Sequence, residues 1–556
     1  MEKLKIGILV DDVKLPRFQE EILSELQKRE WCSIALFVKK QKSYDPYATS
    51  KRFSLYRFIR KFDAKVFGRN APYLQEVSIE GYLQKADLLD VKTQESDYFD
   101  LLKDEDIARV KSHEVDVLLN FGFKYITDDL RNAAKYGIWE FRHKYLPAAF
   151  WEVVETIPAT EITLERVGSA LDAGYVIDNF KTVTHQKSMR KNYEQVMWRS
   201  HMLMVRNLEK LAQQKEKFFE NKKSVTYFYD QYPLNTDTKK KPFDFQFGFS
   251  DDLGMRAPTN CQSLKALCKI AGKYLKFTAR RFFKMDRWII LYHENENGRI
   301  NPDLSAYKRI PLPSNDYFQA DPFVVDEGEK SYLFYEELDY KTLKGYLLVS
   351  EYDETKKAFV QPKEILRKPY HLSYPNIFFH EGKYYMIPET HENESVDLYE
   401  AVSFPYEWKK IRTFFSDIKA VDATLHQKDG YWWMFVNIAA KEGFSLNDEL
   451  YIYYCKDFRT DEWIPHAQNP VVTDVTTARP AGHLIEKEGK LFRPAQDCSG
   501  VYGRAMVFNE VLTLTPTEYE ERVAQHIRAD FAEDLVAVHT FNHSKRFSVI
   551  DAIKSR

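Results

Sequence analysis

Four segments in the second half of the chain repeat one pattern, and that pattern restricts the fold more than any other feature. They read ADPFVVDEGEKSYLFYEE from Ala320, SYPNIFFHEGKYYMIPET from Ser373, VDATLHQKDGYWWMFVN from Val421 and ARPAGHLIEKEGKLFRPAQD from Ala478. Each opens on a polar residue, often near a Pro, turns over a charged or Gly-containing tip, and returns on an aromatic strand ending in a polar residue. Aromatic and β-branched runs bounded by such turns mark β-hairpins. A recurrence of about fifty residues is the period of a propeller blade. A fifth copy, DLVAVHTFNHSKRFSVI from Asp534, carries His539 and Thr540 at the opening position, and Trp288 to Tyr292 offers a strand to complete that blade. Joining the two ends of the domain closes the ring and removes exposed strand edges. The expectation is an all-β five-bladed β-propeller over 286–556.

The first part of the chain has a different rhythm. Ile6 to Val10, Ser33 to Val38 and Val115 to Leu119 read as short apolar strands, with an amphipathic helix near Phe18 to Lys28. Strands alternating with helices predict an α/β domain with a parallel sheet over 1–180. Residues 181–285 read as a helical connector and linker. Its second helix, 262–284, carries Lys265, Lys269, Lys273, Lys276, Arg280, Arg281 and Lys284. Two readings stand side by side: a cationic face lying on anionic lipid, or a solvated connector that packs on the propeller through Leu264, Leu267, Leu275 and Phe277.

The stretch from about Val115 to Ile177 resembles the core of folate-dependent formyltransferases. A strand, the turn Asn120-Phe121-Gly122, a helix, Gly137, a His-containing loop ending in Leu146-Pro147, and Leu171-Asp172-Ala173-Gly174 follow in the family's order. The resemblance implies a Rossmann-like fold, formyl-tetrahydrofolate as cofactor and an amino sugar as acceptor, with Asp172 working beside an Asn and a His. Here the aligned positions hold Glu140 and Arg142, and His143 lies one residue late. Amine attack needs a base and a donor for the oxyanion. Glu140 is no amide donor and Arg142 is a poor base. A retained fold with altered or lost chemistry is expected, with His143 and Asp172 as its remnant.

The hairpins also nominate a site. The start of a hairpin's first strand and the end of its second lie at one edge, so one end of the channel should collect both. The opening residues are Asp321, Tyr374, Asp422, Arg479 and His539; the closing ones include Glu336, Glu337, Glu389, Asn437, Gln496 and Asp497, with Arg493 nearby. Ala320-Asp321-Pro322-Phe323 resembles the first-blade motif of arabinanase and β-xylosidase-type glycosidases. That resemblance implies Asp321 as base, Asp422 as a carboxylate tuning the acid, and Glu389 or Glu337 as acid. YYMIPET, VDLYEA, Phe404-Pro405 with Trp408, WWMF, ARPAG and RPAQDCS together resemble the propeller of plant glucosamine inositolphosphorylceramide transferases, across about Asp316 to Asp551. In those proteins the propeller accompanies a separate transferase domain.

These residues suit sugar chemistry. Two carboxylates can serve as acid and base on a glycosidic bond. One can instead deprotonate an acceptor hydroxyl while Arg479 and Arg493 neutralise a departing diphosphate. Tyr374, Asp497 and His539 would contact substrate. A net charge of −2 gives no general attraction to nucleic acid. The five cysteines are scattered, and no motif has metal-ligand spacing, so no metal site is nominated, with a single cation held by channel residues left open. No segment reads as an export signal or membrane span, which points to the cytoplasm, with peripheral membrane contact through the basic helix. The expected function is a carbohydrate-active enzyme of cell-surface glycan biosynthesis, glycosyltransferase-like, acting on a carbohydrate or sugar-phosphate with a nucleotide sugar as donor. Formyl transfer to an amino sugar, glycoside hydrolysis and non-catalytic glycan binding are its rivals.

Overall fold

A computed structural model describes residues 3–41, 54–68, 71–95, 99–123, 125–126, 128–145, 147–167, 174–220, 222–225, 258–283, 287–296, 300–301 and 303–555. The chain forms two compact units, Met1–Leu275 and Lys276–Arg556. The helical connector foreseen over 181–285 is therefore not a separate body. The helix Met189–Gln214 buries Val196, Met204, Leu208 and Leu211, and packs within the first unit. Ser188 caps its N-terminus by accepting the Lys191 N–H.

The first unit is built on an eight-stranded sheet. Its order is Lys223–Val225, Gly174–Val183, Ala159–Val167, Ile138–His143, Val117–Asn120, Leu4–Val10, Cys32–Lys40, Asp87–Val91. The pairings from Ile138–His143 to Asp87–Val91 are parallel, and those beyond Ile138–His143 in the other direction are antiparallel. Leu4–Val10 has Ile6, Ile8 and Leu9 fully buried, as expected of a parallel strand covered on both faces. The parallel α/β core expected from the sequence is present, but the formyltransferase assignment gains nothing from it. His143 ends a strand rather than sitting in a loop, and Asp172 lies outside the described residues.

The basic helix runs Asn260–Phe283. Leu264 and Leu275 are exposed, so two of the residues expected to dock it on the propeller face solvent. Ala266, Leu267 and Ile270 instead join a first-unit cluster with Tyr56, Phe150 and Val154. Lys269 pairs with Glu155, and Lys273 donates to the carbonyls of Val153 and Val154.

The second unit is the five-bladed propeller. Four sheets run outward from Tyr317–Glu327, Ser373–His380, Ala420–Lys428 and the pair Arg479–Pro480 with Ile485–Lys487. The fifth contains Leu535–His543, Phe547–Lys554, Arg287–Glu294 and Lys308–Arg309. It joins both ends of the unit, with Arg287 opposite Lys554. Tyr317–Glu327, Ser373–His380, Ala420–Lys428 and Arg479–Pro480 touch in turn, Leu535–His543 touches Tyr317–Glu327, and the Phe541 N–H donates to the Ala481 carbonyl at 2.8 Å. Trp432 and Trp433 point to opposite faces yet both are buried, in the cores on either side of their blade.

Candidate functional site

Four of the five polar openings are β-bulges, and the fourth blade's Arg479 pairs regularly with Gln496. In blade one, Ala320 pairs with Glu336 and Phe323 with Phe334, so Asp321 and Pro322 oppose Tyr335 alone. The same two-against-one step sets Tyr374 and Pro375 against Pro388, Asp422 and Ala423 against Val436, and His539 and Thr540 against Asp551. Asp321, Tyr374 and Asp422 take left-handed backbone angles, φ +52°, +43° and +55°. That conformation is unfavourable for side chains other than Gly, and such strain persists only where surrounding contacts fix it. Bulges re-aim side chains, and here they bring Asp321 and Asp422 into one buried cluster.

Arg479 forms the cationic centre of that cluster. Its Nε donates to Asp422 Oδ2 at 2.6 Å, Nη2 to Asp422 Oδ1 and Glu389 Oε2 at 3.2 Å each, and Nη1 to Asn447 Oδ1 at 2.9 Å. Gln496 Nε2 donates to Asp422 Oδ2 at 2.9 Å. His391 Nδ1 lies 2.5 Å from Glu389 Oε1. Burial raises the Glu389 carboxyl, but the His391 hydrogen bond and Arg479 outweigh it and hold the group down to about 2. Burial raises Asp422 against the pull of Arg479.

Asp321 belongs to a second chain of contacts. Asp551 Oδ1 accepts from His539 Nδ1 at 2.7 Å and from the Thr540 N–H at 2.9 Å, while its Oδ2 accepts the Asp321 N–H at 2.8 Å. His539 Nε2 then faces Asp321 Oδ1 at 3.4 Å. Burial pushes Asp321 up to about 7, with His539 opposing and Asp551 adding to the rise. Asp321, His539 and Asp551 each offer a ligand atom within 4.8 Å of the others, so they could hold a cation. No sequence motif signals this trio, because Asp321 lies more than 200 residues from His539 and Asp551. The N–H groups already on Asp551 favour a hydrogen-bonded chain over a metal centre.

Several nominated residues lie elsewhere. Strand alternation sends Glu337 to the face opposite Glu336, where Gln319 and Tyr346 bind it at 2.8 and 2.6 Å. Glu336 faces the cluster, buried, with His371 Nε2 3.4 Å from its Oε1. Burial, then Asp321 and Glu389, raise its carboxyl far above the usual range. Tyr374 is fully buried and cannot stack on a ligand; its hydroxyl accepts the Gly482 N–H at 2.7 Å and bonds Thr424. Arg493 is buried in a fork with Glu521 at 2.7 and 2.8 Å, so neither it nor the triply held Arg479 is free for a diphosphate. Asp497 accepts the Ser499 N–H at 2.9 Å as a turn device.

The sequence reading missed Asp551, whose only signal is a carboxylate inside the apolar run SVIDAI. It also missed an aromatic wall. The Trp288 ring lies 3.9 Å from the His539 ring and meets Tyr502 edge-on at 6.2 Å. Tyr502 is 40% exposed and covers Arg479 at 5.0 Å. Gly503, at φ +64°, permits this approach: a Cβ there would lie 2.7 Å from Trp288 and 2.8 Å from His539.

In the first unit, Glu140 and Arg142 form a closed ion pair at 2.6 Å, and Asn120 donates to Glu140 at 2.7 Å. The His143 ring stacks on Tyr193 at 5.3 Å, and burial lowers it to about 4. The carboxylate, guanidinium and imidazole are thus not arranged as a base beside an oxyanion donor.

Residues 301–551 match the sequence profile of the family described as glucosamine inositolphosphorylceramide transferase 1, N-terminal. The transferase of that name from Oryza sativa subsp. japonica is 36% identical over 211 residues, 38% of this chain and 28% of that protein. The one from Arabidopsis thaliana is 32% identical over 235 residues, 41% of this chain and 30% of that protein. The chain thus spans less than a third of the length of these relatives. Among solved structures, a family 117 glycoside hydrolase of Zobellia galactanivorans is 11% identical, with 49% of this chain and 90% of that chain covered and a TM-score of 0.32. For the native arabinanase of Bacillus subtilis the figures are 14%, 42%, 93% and 0.31.

Proposed function

We propose that this chain is a carbohydrate-active enzyme of glycan assembly that transfers a sugar at the mouth of the propeller channel. The observation that carries the reading is the bulge geometry that sets Asp321 beside His539 within a buried group of carboxylates. A carboxyl raised to about 7 is suited to general-base work near neutral pH. Asp321 takes the proton of an acceptor hydroxyl. The freed oxygen bonds the anomeric carbon, and the bond to the leaving group breaks with its electron pair. Glu336, kept protonated by burial, supplies a proton to that group. Glu389, held ionised by His391 and Arg479, is unsuited to the acid role first considered for it. Trp288 and Tyr502 offer aromatic faces to a pyranose.

The names of the relatives agree with sugar transfer, and a nucleotide sugar is the donor class to test first. The experiment incubates the full chain with a panel of nucleotide sugars and polyol or amino-sugar acceptors, following nucleotide release. Asp321→Asn is expected to reduce turnover at least 100-fold with binding retained. Equal turnover in wild type and variant overturns the assignment. Binding of glycan with no turnover on any donor favours a scaffold instead.

A further inference from the structure

Arg287 is a buried guanidinium with no counter-ion among the described residues. It is 8% exposed, its Nε has no hydrogen-bond partner, and its Nη1 binds only the neutral Asn315 side chain. Arginine stays charged at any ordinary pH, and a buried charge is costly unless paired. Yet no carboxylate lies within 4.0 Å of Arg287 among the described residues, whereas Arg479 and Arg493 both have one.

Arg287 lines a cleft of about 590 Å³ together with Arg309, Lys554, Ser314 and Asn315. Arg309 grips Asp534 through two bonds of 2.6 and 2.7 Å, and Lys554 lies 3.9 Å from the same carboxylate. One carboxylate thus serves two cations, and none serves Arg287 among the described residues. The rest of the wall is apolar, with Ile310 and Leu312.

The cleft lies at the same end of the propeller as the carboxylate cluster. Ile290 pairs with Asp551, and Arg287 with Lys554 at the strand end. Three residues of strand span about 10 Å. Trp288, the next residue, points to the opposite face and reaches His539.

We propose that this cleft is an anion-binding subsite for a phosphoryl group, with Arg287 as its fork. A guanidinium binds phosphate oxygens bidentately, and the apolar wall accommodates the body that carries the phosphate. The acidic channel and the basic cleft would then hold different parts of one ligand, or two substrates.

The test is calorimetric titration of the full chain with inorganic phosphate, glucose 6-phosphate and monomeric dihexanoyl phosphatidic acid. At least one probe is expected to bind, more weakly as salt rises. Arg287→Met should weaken it at least tenfold, and Arg287→Lys should recover part of the loss. Methionine removes an unpaired buried charge without adding volume, so this variant is expected to fold, and a thermal melt verifies it. Preference among the three probes separates free phosphate, sugar phosphate and lipid headgroup. Asp321→Asn should leave this binding unchanged, so the subsite stands or falls apart from the channel chemistry. Absence of binding by all three probes at 20 mM (~20 mM being far weaker than a useful site), or equal binding by Arg287→Met, overturns the proposal.

Discussion

Replacing Gly503 by Ala tests how tightly the mouth of the channel is built. The residue has φ +64°, and its added Cβ would sit 2.7 Å from Trp288 Cη2 and 2.8 Å from His539 Cβ. Left-handed backbone costs an L side chain about 1–2 kcal/mol. Overpacking adds about 1–3 kcal/mol, because His539 is pinned by Asp551 and Trp288 lies against His539. The sum is about 2–5 kcal/mol. Gly328 supplies the control, with a similar φ of +59° and no atom within 4 Å of its Cβ position. Gly328→Ala should therefore cost only the backbone part. At about 2 °C per kcal/mol for a domain of this size, Gly503→Ala lowers the propeller's Tm by about 4–10 °C and Gly328→Ala by about 2–4 °C. Scanning calorimetry of both variants measures the difference. Equal shifts would refute the claim that Trp288 and His539 are held against this loop.

Two further results are expected. Arg479→Met leaves Asp422 and Glu389 without their shared cation and should cost about 3–5 kcal/mol; urea unfolding within 0.5 kcal/mol of wild type (roughly the ordinary scatter of surface substitutions) contradicts this. If Asp321 must be ionised to act as base, turnover under saturating substrate rises with pH about a midpoint near 7, because burial has raised the group to about 7. A flat profile between pH 5.5 and 8.5 (~1.5 units on either side of that midpoint) removes Asp321 from the base role.

The repeat by itself specified the blades, their number and the closing partnership of the two ends, because strand periodicity and turn residues are local properties. It also drew attention to Asp321, Asp422, Glu389, Arg479 and His539, which the fold gathers into one cluster. Several decisions lay beyond local pattern. Whether Glu336 or Glu337 faces the channel depends on the register of a single pleat, which Ala320 opposite Glu336 settles. Tyr374 and Asp321 occupy equivalent bulges in neighbouring blades with the same backbone conformation, yet one side chain is spent on Thr424 and Gly482 and the other faces His539. Arg493 is held apart from the cluster by Glu521 across the sheet, whereas Arg479 is held in it by Asp422 and Glu389. In the first unit the sequence established a parallel core, but the Glu140–Arg142 pair is a matter of side-chain geometry. The sequence thus determined which residues would stand at the blade ends. The charge each carries, and the neighbour that fixes it, came from contacts across distant strands, where burial makes every partner decisive.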